Sequence, residues 1–440
     1  MTGGDGVRLE LAEFPVNQII LGSESRYRAA TLELNQDELL GSIRQDKRIE
    51  DAKLAVALPG EHARITHIRD IVEPRFKVQG QGQVFPGILE SVTPVGEGRT
   101  HRLSGMAVIA AAEYEGTIRA GTAVQRSAIL DMWGPGAEVS HFSSLIQLVL
   151  ILRLSKGLAE IDAHTAIQRA EYQLAFRLAE LTAGSKPSTV AVFELGEADP
   201  LLPSVVLIQG CLTHSHHPHS NLAYYGLPIR DSLATLVHPN ELLDGAMSVD
   251  TTRGIGYYPT TWDWQNHPLV MGLYRWHRKR LNFAGMIVER IRFETHHGKE
   301  VIAQNTMRLA KALHADAALV SWLGSGNAFV DVMLTVQACE RAGIKTVLVT
   351  YEYGGKDGVD SPLLYYVPEA NAVVSSGSRD RWLELPAADT ALGPNENIQI
   401  LTYPGSPLIP ARSSLTLDAR EMIIGGVDIW GRGYRTCVAY

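Results

Sequence analysis

From residue 268 to residue 351 the sequence switches repeatedly between two hydrophobic periods, and that alternation limits the folds open to it. Residues 268–281 begin with Pro268, which suits a first helical turn. Residues 300–314 set Ile302, Leu309, Ala310 and Leu313 on one face of an amphipathic helix, and residues 329–342 form another that stops at Gly343. Between them lie residues 283–290, 317–322 and 345–351, short and mostly apolar. A strand that is apolar on both sides needs cover on both faces, and a helix between successive strands supplies it while keeping them parallel. The expected class is α/β, with an open, mostly parallel sheet in the C-terminal part.

The first third reads differently, as a β-rich stretch with many turns. Residues 7–13 and 27–34 alternate at the period of half-buried strands, and Asn35 is placed to cap a short helix carrying Leu39, Leu40 and Ile43. Residues 53–58 and 63–71 read as strands joined by Pro59-Gly60. Gly80, Gly82, Pro86, Gly87, Gly96 and Gly98 then punctuate a long irregular stretch, of the kind that is functional or organised by a partner. A strand over 145–154, a helix from about 160 to 182 ending near Gly184, and strands near 190–193 and 205–208 follow. These patterns divide the chain into a β-rich domain (1–140), an α/β segment (141–258) and a C-terminal α/β domain (259–440).

Composition excludes several functions. The 440 residues carry 40 basic and 48 acidic side chains, a net charge of −8, without a block read as Lys/Arg-rich, so nucleic acid is not an expected partner. The densest apolar run, 145–152, is interrupted by Gln147 and too short for a bilayer, so no membrane is expected. The N-terminus shows no basic-then-apolar leader, and three scattered cysteines form neither a disulfide framework nor a zinc site. A cytoplasmic protein is expected.

Several segments could carry chemistry. Gly324-Ser325-Gly326-Asn327 lies between a strand and a helix, where backbone amides can hold an anion; without the full dinucleotide or P-loop pattern, a tight turn capped by Asn327 is the favoured reading. Glu352 follows a strand, where a carboxylate can bind an amine or sit solvated. His214, His216, His217 and His219 invite a metal-dependent lyase reading, but Pro218 and loop-like spacing favour a hydrated loop, and no metal is expected. The small, hydroxylated segment 244–254 reads on its own as a turn. No nicotinamide or flavin fingerprint is present.

Longer stretches carry a resemblance. Residues 71–87 (IVEPRFKVQGQGQVFPG), 95–101 (VGEGRTH) and 129–136 (ILDMWGPG), then Tyr225-Gly226, His238-Pro239, Glu241, Asp244-Gly245-Ala246, 281–283, Gly326-Asn327, 343–347, Glu352-Tyr353 and 356–358, resemble in order the component B proproteins of glycine, sarcosine and betaine reductases. They are similar in turn to the D-proline reductase proprotein. The resemblance implies self-cleavage before an internal cysteine, which becomes a pyruvoyl group that captures the substrate amine. It also implies a partner subunit whose thiol or selenol displaces the amino group, and hence a hetero-oligomer.

At the cysteine's position this chain has Thr252, preceded by Thr251 where the family usually has Asn. Pyruvoyl formation from cysteine is therefore closed to it. A threonine hydroxyl attacking the Thr251 carbonyl would lead by N→O acyl shift, β-elimination and hydrolysis to a 2-oxobutanoyl group, one methyl larger. On this reading Thr252 supplies the carbonyl, Thr251 the scissile bond, Asp250 or His214 proton transfer, and Glu352, Asn327 and Gly326 the substrate contacts. The alternative is an unprocessed, non-catalytic binding or assembly subunit.

Overall fold

The structure, a computed structural model, describes residues 7–113, 128–213, 222–249, 258–324, 326–352, 363–378, 382–399, 408–417, 422–432 and 436–437. It is of the α/β class, with a β-rich N-terminal part leading into a mostly parallel sheet.

The N-terminal part contains β1 (Arg8–Pro15), β2 (Ile49–Ala57), β3 (Ala63–Val72), β4 (Arg75–Gln79), β5 (Gly98–Ser104), β6 (Met106–Glu113), β7 (Ala128–Asp131) and β8 (Ile146–Leu154). Then come α1 (Glu160–Glu180) and β9 (Thr189–Glu194). One sheet has the order β9-β1-β5-β4 and the other β7-β3-β6-β8-β2, with Thr390–Leu392 paired to β3. Ala163, Ile167, Ala170, Leu174 and Leu178 recur at helical spacing along α1, and they pack with Val108, Leu148 and Leu150 of the second sheet.

All ten residues of β3 are buried, including Arg64, His67, Arg69 and Asp70. Such a strand survives because its polar groups are hydrogen-bonded, Arg64 to a carboxylate, Arg69 to the Ala112 carbonyl and Asp70 to amide and hydroxyl donors. Arg64 forks onto Asp131 at 2.6 and 2.9 Å and donates to the carbonyls of Pro386, Ala411 and Ser413, tying C-terminal chain to the N-terminal sheet.

The later part contains β10 (Ser204–Thr213), β11 (Leu222–Tyr224), β12 (Ala234–Val237), β13 (Met247–Val249), α2 (Thr261–Gln265), α3 (Pro268–Trp276), β14 (Asn282–Arg292) and α4 (His296–Ala312). It closes with β15 (Ala317–Leu323), α5 (Ala328–Arg341), β16 (Lys345–Glu352), β17 (Val373–Ser378) and β18 (Thr436–Cys437). They build a seven-stranded sheet, β12-β14-β10-β15-β16-β17-β18. The five middle strands are parallel and the two edges antiparallel. Counted in chain order, the parallel strands run 2-1-3-4-5, a doubly wound order whose direction reverses between β10 and β15.

Three expectations needed adjustment. Residues 27–34 are a tight hairpin rather than one strand: Arg26–Arg28 pairs with Thr31–Asn35 across Ala29 and Ala30, both at positive φ. Alternation alone does not reveal a two-residue turn that lacks Gly and Asn. The helix from Pro268 ends at Trp276 instead of Leu281, because residues 277–280 (HRKR) offer no apolar side chain to bury and Arg278 turns left-handed at φ 56°. The helix expected over 300–314 begins earlier, at His296, where Thr295 accepts the Gly298 N–H at 3.2 Å. The Asn35 cap is as expected, accepting from the amides of Asp37 and Glu38.

Beneath α4 and α5 lies Glu289 of β14, 1% exposed and bonded to Thr306 (2.7 Å) and Thr335 (3.0 and 3.1 Å). Burial, aided by the nearby Asp331 charge, outweighs the two hydroxyls and pushes its carboxyl up to about 7. A carboxyl raised in the folded state contributes stability below the unfolded value, near 4.5, and loses it as pH rises to about 7. Glu289→Gln should remove that part of the pH dependence. Urea titrations at pH 5 and pH 8 should show the wild type losing more stability than the variant, by on the order of 3 kcal/mol.

Candidate functional site

In doubly wound sheets, ligands collect beyond the carboxyl ends of the parallel strands, at the reversal of strand order. Here that edge is formed by Thr213 ending β10, Leu323 ending β15 and Glu352 ending β16. With β15 between β10 and β16, and neighbouring strands about 5 Å apart, Glu352 lies roughly 10 Å across the edge from Thr213. Gly326 and Asn327 are exposed just before α5, and Asn327 makes no side-chain cap bond. Gly324 is held in place: Tyr351 donates its hydroxyl to the Gly324 carbonyl, and a Cβ there would press on the Trp322 ring. The sheet thus brings Glu352, Asn327 and Gly326 to one edge. His214 follows Thr213 in sequence and lies outside the described residues, as do Asp250, Thr251 and Thr252.

The flanks of those two segments are described, and they meet. Leu222, which follows the first, pairs with Val249, which precedes the second, in the β11–β13 ladder. Leu222, Val249 and Tyr258 belong to the same core as Cys211, Leu212 and Leu323 at the sheet edge. Both polar backbone groups of Val249 go to side chains: its N–H donates to Thr261 Oγ1 at 3.1 Å, and its carbonyl accepts from Gln168 Nε2 at 3.0 Å. The chain is therefore pinned three residues before Thr252, by α1 and α2. Neither Gln168 nor Thr261 carries any local sequence signal for this.

The approach to Val249 is fixed as firmly. Asp244, fully buried, accepts from the Gly96 N–H at 2.7 Å, the Thr100 hydroxyl at 2.6 Å and the Lys77 ammonium. Lys77 also donates to the Glu97 carbonyl at 2.6 Å, and Arg75 donates to the Leu243 carbonyl. Tyr225 donates to Glu241 at 2.7 Å and accepts the Val95 N–H at 3.0 Å. Gly87, at φ 80°, sits where any Cβ would overlap the Tyr225 carbonyl. The irregular stretch 80–98 is thus organised by the chain's own residues 225–244.

A cleft of about 610 Å³ opens beside α2 and α3. Arg102, Arg275 and Arg432 line it with Asn266 and the indoles of Trp262 and Trp276, and no carboxylate is among its described lining residues. Arg102 donates to Asn266 Oδ1 at 3.3 Å, and Arg432 donates to the Asn266 carbonyl at 3.1 Å while lying 4.8 Å over the Trp262 ring. The nearest acids only partly balance them, Asp263 at 3.5 Å from Arg432 and Glu73 at 3.9 Å from Arg102. This is an environment for an anionic group. The sequence reading missed it and passed over a basic block: Arg275, Arg278, Lys279 and Arg280 are all exposed around the α3 terminus. Among the described residues no cluster of three His, Cys, Asp or Glu could hold a metal, and no helix is long and apolar enough to cross a membrane.

Comparison with known proteins gives these features a family. A profile of glycine/sarcosine/betaine reductase component B subunits matches residues 7–437. The chain is 31% identical to the betaine reductase complex component B subunit alpha of Peptoclostridium acidaminophilum, over 88% of each chain. It is 30% identical to that organism's glycine reductase complex component B subunits alpha and beta, over 99% of this chain and 100% of the relative. The corresponding glycine reductase protein of Acetoanaerobium sticklandii is also 30% identical, over 88% of this chain and 89% of the relative. No solved structure matches. The chain belongs to the glycine/sarcosine/betaine reductase component B family. Many of the residues that carried the resemblance, Arg75, Lys77, Gly87, Val95, Gly96, Tyr225, Glu241 and Asp244, are those that hold residues 80–98 against the approach to Val249.

Removing Asp244 leaves the Lys77 ammonium buried without its counter-ion. Asp244→Ala should cost about 3–5 kcal/mol in urea denaturation, the range for breaking a buried ion pair from one side.

Proposed function

We propose that this chain is the component B-like subunit of a reductase complex acting on an amino acid or another small amine, and that it cleaves itself between Thr251 and Thr252. The observation that carries the reading is the clamp on Val249 in a chain matched along nearly its whole length by component B proteins. Forming an ester from a hydroxyl and the preceding carbonyl depends on holding the two in attack geometry, and a backbone fixed just upstream supplies part of that constraint.

The chemistry balances without an external oxidant or reductant. The Thr252 hydroxyl oxygen bonds to the Thr251 carbonyl carbon, the C–N bond breaks, and the hydroxyl proton passes to the released nitrogen. Loss of the Cα proton and of the Thr251 carboxylate gives an enamine. Tautomerisation to the imine and hydrolysis release ammonia and leave a 2-oxobutanoyl group at position 252. That carbonyl would supply an electron sink for a bound amine. Its flanks suit such a group: Val249 is fixed on one side, and on the other α2 leads into the arginine-lined cleft, where an amino-acid carboxylate would find its complement. Glu352, with Asn327 and Gly326, lies at the same sheet edge as the end of β10 and is the proposed contact for the amine. A thiol- or selenol-bearing subunit would complete the reaction from another chain.

The second reading, an unprocessed binding or assembly subunit, is favoured by one observation, the threonine at position 252. Intact-mass measurement separates the two. Processing predicts fragments 1–251 and 252–440, the second blocked to Edman chemistry and reactive to hydrazines. Thr252→Ala should abolish cleavage. Thr252→Cys should accelerate it and yield a C-terminal fragment one methylene lighter. A single unmodified chain in active preparations overturns the processed reading.

A further inference from the structure

Beneath the Val249 clamp is a buried polar cluster shared by β3, α1 and α2. Asp70 is 1% exposed, and Glu171, Tyr172 and Thr261 are fully buried. Asp70 Oδ1 accepts the N–H groups of Ile71 at 2.8 Å and Thr261 at 2.9 Å. Its Oδ2 accepts the Thr261 hydroxyl and, at 3.3 Å, the Tyr172 hydroxyl. Tyr172 Oη is also 2.8 Å from Thr261 Oγ1 and its ring stacks on Phe85, with centroids 4.2 Å apart. Thr261 Oγ1 is the atom that accepts the Val249 N–H.

Every group bonded to Asp70 in this arrangement can act as a donor, which is the pattern of a carboxylate. Ionised Asp70 obliges the Thr261 hydroxyl to donate to it, leaving the Thr261 oxygen's lone pairs to accept from Val249. Protonated Asp70 carries a hydrogen that competes for the same oxygen and loosens the clamp.

Resting on the self-cleavage reading above, we propose that Asp70 is a positioning residue for the conversion of Thr251–Thr252. Acting through Thr261, its carboxylate fixes the Val249 backbone and sets the rate at which the chain cuts itself. Burial opposes ionisation and pushes the Asp70 carboxyl up to about 7 against the pull of its four donors, so the clamp tightens as pH rises through neutrality. The titratable groups facing Asp70 are Glu171 and Tyr172, both from α1, and burial first and the Asp70 charge second push both upward. From α2 it meets only the amide and hydroxyl of Thr261.

The test follows full-length precursor made by cell-free synthesis, reading cut and uncut masses with time between about pH 5.5 and 8.5, the span over which a carboxyl near 7 titrates. Wild-type cleavage should accelerate with pH through about 7. Asp70→Asn should slow it about 10- to 100-fold, the value of one hydrogen bond to a charged group, and flatten the profile. Tyr172→Phe removes one donor, keeps the ring stacked on Phe85, and should move the midpoint upward. It also keeps the proposal testable if the Asn variant fails to fold. Hydrogen exchange at the Val249 amide should quicken in both variants. Cleavage in both variants at the wild-type rate and pH profile overturns the role of Asp70 while leaving self-cleavage standing. A wild-type chain that stays uncut across the whole range overturns the self-cleavage reading and this inference with it.

Discussion

The Asp244 carboxylate, buried with Lys77 beneath residues 80–98, is the interaction on which the arrangement of the candidate site depends. Taking an ammonium and a carboxylate out of water costs more than their attraction returns unless the remaining donors are also satisfied. Asp244 satisfies them with the Gly96 amide and the Thr100 hydroxyl, so three stretches of chain must arrive together for any one of them to be stable. A long glycine-rich connection is thereby converted from an entropic liability into a wall of the structure. Five residues beyond Asp244 comes Val249, and the precision of its clamp rests on this hub.

Charge burial recurs in β3, where Arg64, His67, Arg69 and Asp70 are enclosed within a ten-residue strand. Two of them face different parts of the chain: Arg64 the C-terminal residues, and Asp70 the helices α1 and α2. A purely apolar strand could fill the same volume, but it would not fix which segment lies against which, since hydrophobic contact is non-directional. In this protein the buried polar groups act chiefly to specify register between distant segments, and the apolar core of the seven-stranded sheet supplies the bulk stabilisation.

This division explains what was legible in the sequence. Ile287, Val320 and Leu348 lie in continuous apolar runs, and such runs announce a covered parallel sheet without any alignment. The Asn35 cap was readable because a cap and its acceptor geometry are local. The strand order was not readable, because nothing in a strand's own residues states which neighbour it takes. Nor was the Val249 clamp, whose partners Gln168 and Thr261 lie on separate helices, 81 and 12 residues away, with no local motif that points to either. The basic run around Trp276 was visible in the letters, yet its meaning came only with the cleft that Arg275 shares with Arg102 and Arg432, two residues remote from it.

If the chain cuts itself before Thr252 as proposed, a hydroxyl in place of a thiol changes what the fold must supply. A thiol close to its own pKa brings its nucleophilicity to the site, and loosely held geometry is then sufficient. A hydroxyl does not, so more of the rate must come from orientation, where effective molarities are large enough to compensate but only if the reacting atoms are held near van der Waals contact. The structural features bordering the segment are of that second kind. They are hydrogen bonds from two helices to one residue's backbone, backed by a carboxylate whose donors are all fixed by packing. A chain that cuts itself at Thr252 would therefore depend more steeply on this scaffold than one using a thiol would. On that proposal, a hydroxyl nucleophile would also make the rate more sensitive to the protonation of a single buried acid.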